Sequence, residues 1–221
     1  MCSASSSSSS DDDHGLSMLV KVASRYAPSR MLSFNVAHVI MALQLMGRYG
    51  RVSRSRMKRG LMLGEGSVKT LLKHMRMHGM VETTRSGSAL SSKGKELYEY
   101  LSRVMAAEAE VPECSLAVGR FNYAVRVKGM AGAVRSGVEQ RDAAIRVGAL
   151  GATTLVYTNS RFVMPGSRYG IHIREKYVID ILKGLMPEEG DVIIIGSASS
   201  TKVAEMAAKY AAVTTILNIH G

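Results

Sequence analysis

An α+β fold in two parts is predicted by three observations. Apolar residues recur at helical spacing through the N-terminal half, strand-like runs alternate with helical ones through the C-terminal half, and the two halves differ in charge. From Gly15 to Met80 twelve Lys and Arg stand against one acid, Glu65, so this segment alone carries +11, as much as the formal net charge of the whole chain. From Val111 to Gly221 thirteen bases face nine acids, a net +4 that is ordinary for a solvated domain. The first part therefore suits a polyanionic partner and the second a different task.

With 221 residues, 46% of them apolar and 21% charged, the chain suffices for two small domains. Two cysteines, Cys2 and Cys114, are too few for a disulfide framework and predict a reducing, cytoplasmic setting. The longest uncharged stretch, Met31 to Gly47, is short for a bilayer and is interrupted by Ser33, Asn35, His38 and Gln44, so no membrane partner is expected. Residues 1–14 are Ser-rich and then acidic, without the basic start and apolar middle of a secretory signal, and predict a disordered tail. The expected division is this tail, a first domain at 15–105, a linker at 106–112 and a second domain at 113–221.

In the first domain, Leu16, Leu19, Val20 and Ala23 mark a helix that stops before Pro28. Ser33 is the expected cap of a core helix carrying Val36, Val39, Ile40, Leu43 and Met46, with His38 as a hydrogen-bonded core residue. Ser53 opens a short helix with Met57 and Leu61 inward and Arg54, Arg56, Lys58 and Arg59 outward. Gly64 and Gly66 break the chain before a further helix, Ser67 to His78, whose buried stripe is Val68, Leu71, Leu72 and Met75. Met80 to Thr84, a Ser86-Gly87-Ser88 turn and Ala89-Leu90 then form a hairpin, and Ser92 caps a last helix to Met105. This order of parts is that of a winged helix-turn-helix.

Such a domain sets the polar face of its second helix into a DNA major groove. Ser67, Thr70 and His74 are the candidates for base edges or nearby phosphates. Lys69, Lys73 and Arg76, at i, i+4 and i+7, flank the groove together with Arg54 and Arg56, and Arg85 at the wing reaches phosphate or the minor groove. His74 and His78 also have metal-binding spacing, but without a third ligand nearby the expectation is no metal and no cofactor.

The runs Gly64 to Leu72, His78 to Gly87 and Leu90 to Gly94 resemble archaeal winged-helix transcriptional regulators with an uncharacterised C-terminal domain. The likeness covers Leu32 to Met105, and continues through Gly137 to Ala144 and Gly148 to Thr154. Lys69 departs from it, standing where that family more often has Arg, and so lacks the bidentate fork suited to guanine. The resemblance implies DNA binding and regulation, and supplies neither ligand nor reaction.

In the second domain strands are expected at Leu116 to Val127, Thr153 to Tyr157, Arg161 to Val163, Val192 to Ile195 and Val213 to Leu217, with Asn159-Ser160 as a hairpin turn. Helices between them, on Val138, Ile145 and Ala149, on Val178, Ile181, Leu182 and Leu185, and on Val203, Met206, Ala207 and Tyr210, predict an α/β domain with a mixed sheet. Glu139, Gln140, Arg141 and Asp142 at a helix start, and Ser197, Ser199, Ser200 and Thr201 after an apolar strand, are candidates for holding a small polar or anionic effector. The plain alternatives are surface pairing for the first set and a helix cap for the second. No activated nucleophile accompanies them, so binding is favoured over catalysis.

The sequence thus predicts a DNA-binding regulator, paired as a homodimer on double-stranded DNA, with an effector-binding or dimerising second domain. The alternative is an enzyme acting on a phosphorylated or nucleotide-like metabolite, with a winged helix for autoregulation; a third reading puts the winged helix on RNA or protein.

Overall fold

In the computed structural model, which describes residues 16–23 and 32–218, the chain divides into two units, Met1–Leu101 and Ser102–Gly221. The expected tail at 1–14 and the expected helix stop before Pro28 lie outside the described residues. The protein is α+β, with helices and two antiparallel sheets.

In the first unit residues 16–22 are helical (α1) and bury Leu16, Leu19 and Val22, whereas Val20, expected on that stripe, is exposed. Helix α2 (Val36–Tyr49) is capped by Asn35, not Ser33. The Asn35 side chain accepts the N–H groups of Ala37 and His38, and His38 Nδ1 accepts the Asn35 N–H at 3.1 Å, a reciprocal capping box. Helix α3 (Arg54–Leu61) is capped by Ser53 and buries Met57 and Leu61. Helix α4 (Glu65–Met77) begins two residues before the expected Ser67, with Gly64 at its N-cap, and contains Gly66 in its first turn.

Strands β1 (Val81–Thr84) and β2 (Gly87–Leu90) form a hairpin closed by Arg85 and Ser86. Val52, between α2 and α3, exchanges both backbone hydrogen bonds with Ser88, so the hairpin is anchored to the helical core. Gly87 makes this approach feasible: its φ is +132°, and a Cβ there would lie 2.6 Å from the Val52 carbonyl oxygen. Helix α5 (Ser92–Val104) follows, with Ser91, one residue earlier than expected, accepting the Gly94 N–H.

The second unit holds a five-stranded sheet in the order β3-β4-β7-β5-β6, from β3 (Ala107–Val111), β4 (Phe121–Val127), β5 (Gly151–Thr158), β6 (Arg161–Val163) and β7 (Val192–Ala198). Every neighbouring pair is antiparallel, which corrects the expected mixed sheet. Strands β4 and β5, joined through α6 (Val138–Arg146), do run the same way, but β7 enters between them and opposes both. The expected linker at 106–112 is largely β3, an edge strand paired along its length with β4. Residues 116–120, expected in a strand, are turns before β4.

Between β6 and β7 lies α7 (Lys176–Gly184), whose Val178 and Leu182 pack with Ala124, Leu155, Ile193 and Ile195 on one face of the sheet. The other face carries a layer of small residues, Ala144, Ala198, Ala204 and Ala207, against α6 and α8 (Thr201–Leu217). A Cβ at Gly196 would lie 2.6 Å from the Ala204 carbonyl, so α8 rests its backbone directly on β7. The expected strand Val213 to Leu217 is the last turns of α8, where Val213, Thr215 and Ile216 are buried. The β-branched run is helical because the alanine stripe before it continues onto the sheet, and packing overrides propensity. No described helix is long and apolar enough to cross a membrane.

Candidate nucleic-acid interface

The buried stripe of α4, Val68, Leu71, Leu72 and Met75, fixes which residues face solvent. Lys69, Thr70, Lys73 and Arg76 are exposed on the opposite side. Lys69, Lys73 and Arg76 share a groove of about 250 Å3 with Arg54 of α3, Leu72 and Thr83 of β1. Four cations and no carboxylate line it. The arrangement attracts an extended anion. Arg85, exposed at the hairpin turn, adds a further cation. Beside it Arg51 Nη1 donates to Thr84 Oγ1 at 2.8 Å and to the Gly87 carbonyl at 3.1 Å, tying the turn to the segment after α2.

Other expected contacts are placed differently. Ser67 is half-exposed in the first turn of α4, and the Thr70 hydroxyl donates to the Gly66 carbonyl, leaving its lone pairs outward. His74 is buried at 6% exposure, which corrects its assignment to base edges. It sits on the stripe one turn above Leu71; Nδ1 lies 3.0 Å from the Val22 carbonyl and the ring meets Phe34 edge-on. Arg56 stands apart from Arg54, stacked over the Tyr49 ring at 3.6 Å. His78 is held below its ordinary pKa, first by partial burial and then by the neighbouring His74, Lys21 and Lys93. Among the described residues no three His, Cys, Asp or Glu side chains converge as a metal site.

The expected effector residues of the second unit do not form one constellation. Gln140 is buried and donates to Thr215 Oγ1 of α8 at 2.9 Å, and Ser197 lies fully buried inside β7, so neither is a solvent-side ligand group as expected. The cause is register: Gln140 falls on the inner face of α6, and β7 runs on to Ala198. Ser200 is the N-cap of α8, accepting the Val203 N–H; Thr201 begins that helix and Ser199 is exposed before it. Glu139 is exposed, and Arg141 pairs with the adjacent Asp142 at 3.3 Å. Arg141 does come near the sheet end, since a Cβ on Gly151, the partner of Ser197, would lie 3.7 Å from its Cγ.

Two buried charged groups lie outside the residues expected from sequence. Lys209 of α8, 2% exposed, pairs with Glu108 of β3 at 3.0 Å and with Glu205, under the Tyr123 ring. Glu205 and Lys209 stand four apart in the sequence, and that spacing was the available signal. Arg126 of β4 binds Asp191 through Nε at 2.6 Å and the Leu185 carbonyl through Nη1. Asp191 in turn accepts the N–H groups of Gly129 and Glu188. No local pattern announces this second pair, because its members are distant in sequence.

Residues 118–216 match the family model described as a domain of unknown function, DUF4443. The matched span runs from the turn before β4 almost to the end of α8, and leaves out the basic groove. Among solved structures, a hypothetical protein from Pyrococcus horikoshii OT3 is similar at 26% identity, with a TM-score of 0.64 over 81% of this chain and 91% of that one. Both parts of the architecture thus have an archaeal counterpart. No curated protein matches the chain.

Proposed function

We propose that the first unit is a winged helix-turn-helix that binds double-stranded DNA, and that the chain is a cytoplasmic transcriptional regulator acting as a homodimer. The observation that carries this reading is the groove between α3, α4 and β1, where Arg54, Lys69, Lys73 and Arg76 converge with no acidic residue. Helix α4 follows α3 through a short turn, and its outward face is free of apolar bulk as far as Arg76. A helix so presented enters a major groove with its lysines toward phosphates, while Ser67 and Thr70 face bases. The hairpin, anchored through Val52 and Arg51, carries Arg85 as a wing. The second unit supplies dimerisation or recognition of a small polar or anionic effector, for which Glu139, Arg141, Asp142, Ser199 and Thr201 remain accessible.

The test is fluorescence anisotropy of a labelled duplex against the full chain over a range of salt. In Lys73→Ala/Arg76→Ala, affinity falls on every duplex and the slope of log K against log salt shrinks by about 1.8, two phosphate contacts. An unchanged slope overturns this placement of the interface.

A further inference from the structure

We propose that the first unit carries a second binding site, in a cleft between the end of α2, the β1–β2 hairpin and α5. It takes a small zwitterion with an apolar body, of the size and charge of a free α-amino acid. The cleft has a volume of about 530 Å3, within the usual range of small-molecule sites. Four charged side chains edge it: Arg51 after α2, Glu82 of β1, and Lys95 and Glu99 of α5. Among the described residues none of the four makes an ion pair within 4.0 Å.

Two acids and two bases around one hollow, none neutralising another, define the ligand by its charge. A simple anion meets Glu82 and Glu99, and a simple cation meets Arg51 and Lys95. A molecule with both an ammonium and a carboxylate satisfies both signs. Met46, Ala89 and Leu90 give the same cleft an apolar lining for the body of the ligand. Gly47 shapes one wall: a Cβ there would overlap the Tyr98 ring, which lies against the α2 backbone in its place.

The site also reaches the hairpin. Arg51, which lines the cleft, also holds Thr84 Oγ1 and the Gly87 carbonyl through its guanidinium. A ligand carboxylate competes for it and loosens the turn that carries Arg85. This coupling rests on the DNA-binding reading; the binding site itself does not.

The experiment is titration of the full chain, without DNA, with each standard L-amino acid by ligand-observed NMR, followed by calorimetry of any that bind. Saturable binding of at least one with an apolar side chain is expected. Its affinity falls by about tenfold or more in Glu82→Gln/Glu99→Gln, and similarly when its amine is acetylated, as loss of a charged hydrogen bond requires. Absence of saturable binding, or equal binding of the acetylated form, overturns the site. In a second arm the bound amino acid is added to the duplex titration. A changed duplex affinity supports coupling through Arg51, and an unchanged one overturns it. A chain that binds the amino acid but no duplex overturns the DNA reading and leaves the site standing.

Discussion

Lys209 shows what a single residue does when a fold hides a charge. Its ammonium, 2% exposed, is held by Glu108 and Glu205, which keep about a quarter of their side chains in water. The pair thus ties edge strand β3 to α8. Removing the cation leaves two carboxylates facing each other across the place it filled. Lys209→Ala therefore costs about 2–4 kcal/mol, below the figure for a fully buried pair because the acids remain partly solvated. Lys209→Met, which keeps the packing, costs less; urea midpoints of the two variants followed by circular dichroism give the order. The sequence hides this role because Lys209 lies in a run of alanines, where an alternating helix face reads as surface. His74 is the converse case. Its neighbours Lys73 and Arg76 are exposed, yet its own position on the Leu71 and Met75 stripe takes it into the core. Helical phase, available from the sequence, outweighs its polar chemistry.

Elements end where local chemistry lets them, and the start of α2 is testable through pH. Burial lowers the His38 pKa from 6.5 to about 4, and the capping box needs an unprotonated Nδ1 to accept the Asn35 N–H. The unfolded chain takes up the proton first, so stability is full above about pH 6.5 and falls as pH drops toward about 4. Between pH 7.5 and pH 5 the loss is about 2 kcal/mol, measured as the urea midpoint at each pH. His38→Gln keeps an N3 acceptor and removes this component of the decline. In the hairpin, Gly87→Ala forces a side chain against Val52 at a positive φ and costs about 1–3 kcal/mol, read as faster amide exchange at Ser88. Periodicity made most helices legible, and the positive φ values of Asn159 and Ser160 fit the hairpin turn expected there. It failed where tertiary partners decide: Ala-Glu-Ala-Glu-Val before Pro112 reads as a linker until β4 pairs with it, and Val213 to Leu217 reads as a strand until α8 is seen lying on β7. The basic groove was legible as far as its α4 cations. Arg54 was expected beside them from sequence, whereas the contribution of Thr83 needed the third dimension.

At the scale of the whole molecule, charge is distributed unevenly between the two units. Most of the excess positive charge, +8 of the chain's +11, lies in residues 1–101, the unit with the basic groove. Charge alone yields affinity for any polyanion and no preference among sequences. On the DNA-binding reading proposed above, discrimination has to come from the few uncharged side chains on the outward face of α4, Ser67 and Thr70, and two such contacts specify only a short half-site. A regulator built this way gains selectivity by doubling: two copies related by a two-fold axis read two half-sites, set about 10 base pairs or a multiple of that apart by the pitch of the duplex. Selection of bound sequences from a random duplex pool, with the full chain near physiological salt, is therefore expected to return an inverted repeat with that spacing. On that reading Thr70→Ala should blur one position in each half-site while leaving the salt slope unchanged, since the proposed role of Thr70 is a base contact and not a phosphate contact. A single unrepeated half-site would assign the chain a monomeric mode. Recovery of no motif, with binding that vanishes as salt rises, would reduce the groove to a charge trap and move the search for specificity to the second unit.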